Sequence, residues 1–276
     1  MGRAIGIIAI KGGVGKTTIS SSLAASLANE HDKKILLIDA NYSAPNVGLH
    51  MDIVKPESTI HDVLSGKLRL YDAVHKKFGV DVVPGSYFYT KKINPLKLKQ
   101  KVQEVKNDYD FVIIDSSPAL NEEILSTIVT SDHLFVVTTP DYPTLACSLR
   151  AAKLAKNRGK PIDGIIINKS RMPDYELDLR DIEKAVEIPV LARIPDDKTN
   201  IKALFERIPT SIYDRKSKFA KEIHKLAGVL VGAPESVKWW QKWIFGVGKD
   251  AINRQVLKKS YYEKMFNNVV GIKDEK

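Results

Sequence analysis

One cysteine, Cys147, stands in 276 residues. That excludes a disulfide framework within the chain and any cysteine-ligated cluster, and it fits a reducing compartment. The six histidines are scattered, without the spacing of a metal site. No apolar run approaches the ~20 residues that cross a bilayer. The first apolar run begins almost at Met1, with no charged leader before it, so the reading is of a protein made and kept in the cytoplasm. Gly6 occupies the position where N-myristoylation after Gly2 needs Ser or Thr, which excludes that anchor. Acidic residues are the minority, 33 Asp and Glu against 43 Lys and Arg, a net charge of +10. Such an excess favours anionic partners, lipid headgroups or nucleic acid, without choosing between them.

What is present is concentrated first in residues 11–18, Lys-Gly-Gly-Val-Gly-Lys-Thr-Thr. An apolar stretch, 4–10, precedes this run and reads as a buried strand; 17–28 follows it and reads as a helix. Strand, glycine-rich turn and helix make the context in which backbone N–H groups curl around an anion. Gly12, Gly13 and Gly15 permit the curl, with Val14 between them, and the helix N-terminus adds partial positive charge. Lys16 is placed to reach the β- and γ-phosphates of ATP. The hydroxyl of Thr17 is placed to ligate Mg²⁺, with Thr18 next to it at the helix start.

Apolar runs alternate with helical patterns along 1–232. This predicts an α/β domain, a mostly parallel twisted sheet with helices on both faces. The strands are expected at 4–10, 34–39, 80–83, 111–115, 133–138, 164–168 and 190–194. Helices are expected at 17–28, 59–64, 96–105, 121–129, 144–156, 179–186, 200–206 and 216–230. The pattern changes at Gly232-Ala233-Pro234, where a domain boundary is placed; 233–276 reads as a basic, tryptophan-bearing helical tail. Asp39 and Asp115 each end a strand, the edge at which open α/β sheets bind ligands. Asp115 reads as a Mg²⁺ ligand, and Asp39 as a carboxylate that organises Mg²⁺ or the attacking water.

The second lysine, Lys11, at the start of the loop makes the run a deviant Walker A motif. The chain resembles the MinD/ParA family of P-loop ATPases over about residues 2–232. Residues 111–118 resemble Walker B and the second switch, and 41–49 take the place of the first switch. Asn168 resembles the strand-end asparagine that reads adenine, and Pro195 and Asp196 resemble the later loop that packs on the base. The resemblance implies ATP and Mg²⁺ as cofactors and an ATP-dependent homodimer in which Lys11 crosses to the partner's nucleotide. It also implies an activating protein partner. The chain departs from the family at Asn41, where a second aspartate is usual. An amide can orient water but cannot accept its proton, so slow hydrolysis is expected.

All three tryptophans, Trp239, Trp240 and Trp243, fall within five residues. At ~100° per residue they share a broad apolar arc with Val237, Ile244 and Val247, while Lys238, Lys242 and Lys249 lie opposite. Tryptophan with lysine is the composition of an interfacial helix, suited to an anionic membrane face. In position and character the segment resembles the membrane-targeting helix of MinD proteins. Packing of the tryptophans back on the domain, or docking to a protein partner, are the alternatives. A second basic run, Lys91 to Lys101, reads as a solvated helix face and as the best patch for DNA, the surface that ParA-type relatives use.

Overall fold

The computed structural model describes residues 2–160, 162–171, 175–233, and 253, 254 and 257. Its centre is an eight-stranded sheet in the order β3-β4-β2-β5-β1-β6-β7-β8. The strands are β1 (Arg3–Ile8), β2 (Ile35–Ala40), β3 (His75–Lys77), β4 (Val80–Val83), β5 (Phe111–Ser116), β6 (His133–Thr138), β7 (Gly164–Ser170) and β8 (Val190–Pro195). All neighbours are parallel except β3 against β4. Parallel strands need both faces covered, so each strand alternates between two buried sides. Ile5 and Ile7 enter one core, while Ala4 and Ile8 enter the cores on the opposite face.

The helices are α1 (Lys16–His31), α2 (Val47–His50), α3 (Ile60–Leu64), α4 (Leu98–Val105), α5 (Glu122–Thr130), α6 (Tyr142–Lys156), α7 (Leu179–Val186), α8 (Thr199–Phe205), α9 (Thr210–Tyr213) and α10 (Lys218–Val231). α1 and α10 pack on one face, through Ile19, Leu23 and Leu27 against Phe219, Ile223 and Leu226. α3 and α4 cover the other face on the β2 side, and α5, α6 and α7 on the β7 side. Each predicted strand is present, within two residues at either end. The short antiparallel β3 was not foreseen; His75-Lys76-Lys77 is polar and carries no alternation. The basic run at Lys91 to Lys101 does lie partly on a half-buried helix: Leu98 and Val102 enter the core, while Lys91, Lys92, Lys97 and Lys99 are exposed.

The edge strand β8 carries a bulge: Ile165 pairs with Val190 but Ile166 pairs with Ala192, leaving Leu191 as the extra residue. A side chain from far along the chain meets its carbonyl. Arg254 Nη1 donates to Leu191 O at 2.8 Å, and Asn253 Nδ2 donates to Val190 O at 2.9 Å. Arg254 is 3 % exposed, and Leu257 joins the core beneath α10. These three residues lie beyond the boundary placed at 232, and they rest on the eight-stranded sheet and its core. The predicted interfacial helix with Trp239, Trp240 and Trp243 lies outside the described residues.

Candidate functional site

At the carboxyl ends of β1, β2, β5, β7 and β8 lies a cavity of about 490 Å³. Its floor is the loop 11–15 and the first turn of α1. Gly13 and Gly15 adopt φ of 76° and 94°, the left-handed region that side chains disfavour. A Cβ on Gly15 would strike Asn168 Nδ2 at 2.3 Å, so that position is closed to larger residues. α1 starts with no capping side chain and no acid in its first turn. Its leading N–H groups are thus left for an external anion.

Asp39 and Asp115 are paired in register on β2 and β5, and both are essentially fully buried. Asp115 accepts hydrogen bonds from Thr17 Oγ1 at 2.7 Å and Ser20 Oγ at 2.9 Å. Asp39 accepts from three backbone N–H groups, those of Asn41, Asn46 and Val47, at 3.1, 2.9 and 2.9 Å. Asp39 therefore ties down the whole loop 41–47 and starts α2. Burial, and then the Asp115 charge beside it, push its carboxyl up to about 8 against the three N–H bonds. Burial also raises Asp115, opposed chiefly by Lys16. Lys16 is 7 % exposed, and burial lowers its own pKa against the pull of Asp115. Two aligned carboxylates, holding a proton between them at neutral pH, stand with one ammonium beside the Thr17 hydroxyl. That donor set, few protein oxygens beside a phosphate cradle, fits Mg²⁺, which keeps waters and nucleotide oxygens as its other ligands.

This pair has a measurable consequence. Folding raises the Asp39 carboxyl from 3.8 to about 8, so the native chain holds more protons than the unfolded one across that window. Stability contributed by the pair is therefore lost as pH rises. The nucleotide-free chain should lose stability between pH 5 and 7 by as much as about 1.4 kcal/mol per pH unit. Thermal melts should show a flatter slope in Asp115→Asn and in the presence of Mg²⁺ with ADP.

The other predicted residues fall around this centre. Asn41 is 7 % exposed and lines the cavity; its Nδ2 donates to Ala44 O at 2.5 Å, closing the loop on itself. Asn168 is delivered by a second bulge, between Ile167 and Ser170, with Lys169 at φ 58°. Asn168 Nδ2 donates to Val14 O and Lys169 Nζ to Gly13 O, both at 2.8 Å. Among the described residues Asn168 Oδ1 is buried without a partner, as is Oδ1 of Asn200 in the same wall. Asp196 lines the cavity and receives Arg171 Nε at 2.6 Å, whereas Pro195 borders a neighbouring cavity above α10. Lys11 stands apart from the cavity: its Nζ donates to Thr144 Oγ1 at 2.8 Å and lies 3.7 Å from Asp141. His50, Arg171 and Asn200 were not foreseen. They come from α2, the residue after β7 and α8, separate segments that meet only in the fold, and no local motif marks them.

A glycine cradle on a bare helix end, a buried lysine and a Thr–Asp pair are the arrangement that phosphate-loop proteins present to an anion. An AAA-domain family model matches residues 2–149. An uncharacterised ATP-binding protein of Methanocaldococcus jannaschii is 34% identical over 227 residues, 81% of this chain and 86% of that one. Among solved structures, the cell-division ATPase MinD of Pyrococcus furiosus superposes with a TM-score of 0.79 at 30% identity, over 84% of this chain and 99% of that one. The Mg-ADP complex of the septum site-determining protein MinD of Pyrococcus horikoshii gives 0.78 at 30% identity, over 82% and 95%. The chain belongs to the MinD/ParA family of P-loop ATPases.

Proposed function

We propose that this chain is a MinD-like switch. It binds Mg-ATP in the cavity above α1, pairs with a second copy across that nucleotide, hydrolyses it slowly, and holds to an anionic membrane face while ATP is bound. In that state it would position cell-division, chromosome or motility machinery. The observation that supports it most is the assembled phosphate cradle, with Lys16, Thr17 and Asp115 on one side and unpartnered Asn168 Oδ1 on the other. The Mg-ADP held by the Pyrococcus horikoshii relative supports the same cofactors here. Thr17 and Asp115 would hold the metal, and Asp39 would act through the loop it anchors. The base would lie against Asn168 and Asp196.

Lys11 begins on its own chain, on an exposed contact with Thr144 and Asp141. A surface ion pair of this kind is worth only about 0–1 kcal/mol, so a second copy's triphosphate can draw the lysine across. Dimerisation doubles the number of membrane segments, and linking two weak contacts raises avidity by ~10²–10⁴. Among the described residues no helix is long and apolar enough to cross a membrane. Attachment therefore rests on the stretch containing Trp239, Trp240 and Trp243.

Co-sedimentation of the full chain with vesicles containing anionic lipid tests this reading. Pelleting should need ATP in place of ADP, and should be lost when the three tryptophans become serine. Failure to pellet under any condition, with retention on DNA at low salt, would overturn the membrane reading in favour of a ParA-like partner surface.

A further inference from the structure

We propose that His50 is a nucleotide-contacting residue whose imidazole takes up a proton when nucleotide binds, so that nucleotide affinity is linked to pH. This rests on the nucleotide-site reading above. α2 is a single turn, pinned at its start by Asp39 through the N–H groups of Asn46 and Val47. Val47 and Met51 point into the core against α1. His50, the last residue of this turn, is half-buried and lines the cavity with Asn46, Thr17 and Thr18. Among the described residues no hydrogen bond or ion pair holds its ring. A polar ring presented to a cavity, on a helix whose placement is fixed by a buried carboxylate, is a ready contact for a ligand.

The surroundings set its charge. Burial holds the His50 imidazole down to about 4, so it is neutral at pH 7 in the free chain. The charged groups lining the same cavity are Lys16, Lys169, Arg171, Asp196 and Asp197. Lys169 is spent on Gly13 O, and Arg171 on Asp196. Past the end of α2, Asp52 is engaged by Lys77 and Arg207. Among the described residues no carboxylate is bonded to the ring, and a nucleotide in the cavity would bring a strong anion towards it. A phosphate within ~4–6 Å favours the charged imidazole. Because binding raises its pKa, affinity must climb as pH falls through the bound-state value, and level off below the free-state value near 4. A neutral spacer would give no such dependence.

Titration calorimetry of the full chain with Mg-ADP at pH 6, in two buffers of different ionisation enthalpy, counts the protons taken up. Uptake of about half a proton or more per nucleotide is expected, falling to near zero in His50→Asn. Affinity should rise roughly three- to tenfold from pH 7.5 to 6 in the native chain and stay flat in the variant. The native chain also gives a direct reading: NMR titration of the His50 imidazole should show a higher pKa with Mg-ADP than without. Equal uptake in both chains, or an unmoved imidazole pKa, overturns the proposal while the nucleotide site stands. No nucleotide binding at any pH would remove the site itself and this inference with it.

Discussion

Lys16→Ala is expected to lower ATP turnover by about 10³-fold or more, with loss of nucleotide affinity. The reason is the position of the ammonium as much as its charge. Lys16 is buried at the first turn of α1, beside Asp115, which is aligned with Asp39. Among the described residues it is the one cation that counters the burial of Asp115. Its removal takes away the clamp on the terminal phosphates and leaves two buried carboxylates uncompensated. A second effect should appear without nucleotide: the variant should melt lower than the native chain at pH 8, and by less at pH 5, where the pair holds a proton. Turnover within tenfold of native would remove Lys16 from the site, and an equal melting deficit at both pH values would remove it from the carboxylate pair.

Asn41→Asp should raise turnover, and two opposed effects decide by how much. A carboxylate at this position can accept a proton from water, worth ~10²–10⁴-fold when a general base is supplied. Against this, Asn41 Nδ2 donates to Ala44 O, and an aspartate loses that bond. A neutral hydrogen bond contributes about 1 kcal/mol, a factor near five, and a third carboxylate next to Asp39 adds repulsion in the empty site. The base term is the larger. The expected result is at least a tenfold higher kcat, a higher KM, and a lower melting temperature without nucleotide. Steady-state kinetics and a thermal melt check all three. Unchanged or lower kcat with intact ATP binding would mean that loop closure by the amide matters more than proton acceptance.

The strands were legible because parallel strands buried on both faces are continuous apolar runs, as Val112-Ile113-Ile114 is. The phosphate loop was legible because its chemistry is local: glycines, lysine and threonine all act within eight residues. The rest of the site was less so. Asn168 could be matched to a family landmark, but its aim into Val14 O depends on a bulge and a left-handed Lys169, which no pattern announces. Asp39 was read as organising Mg²⁺ or the attacking water; its three backbone partners, which no pattern announces, add that it holds its own loop. His50 and Asn200 reach the cavity from one-turn and two-turn helices whose placement is tertiary. The boundary at 232 followed a true change in composition, yet Asn253, Arg254 and Leu257 return to the sheet, because a clip of three residues has no periodicity to detect.

That clip, taken with β3, settles what kinds of self-association the sheet permits. An unpaired strand edge is a template for another chain. At one margin, β3 is three residues long and brings Lys76 and Lys77 to the rim. At the other, Arg254 and Asn253 occupy carbonyls on β8 that an incoming strand would need. Among the described residues both margins are thus blunted against pairing with a second molecule, which disfavours a continuous ribbon or fibre through the sheets. Cutting the chain at Gly232 would reopen one of those margins. A shortened protein that clumps would then be reporting a bared strand, not the loss of a membrane anchor.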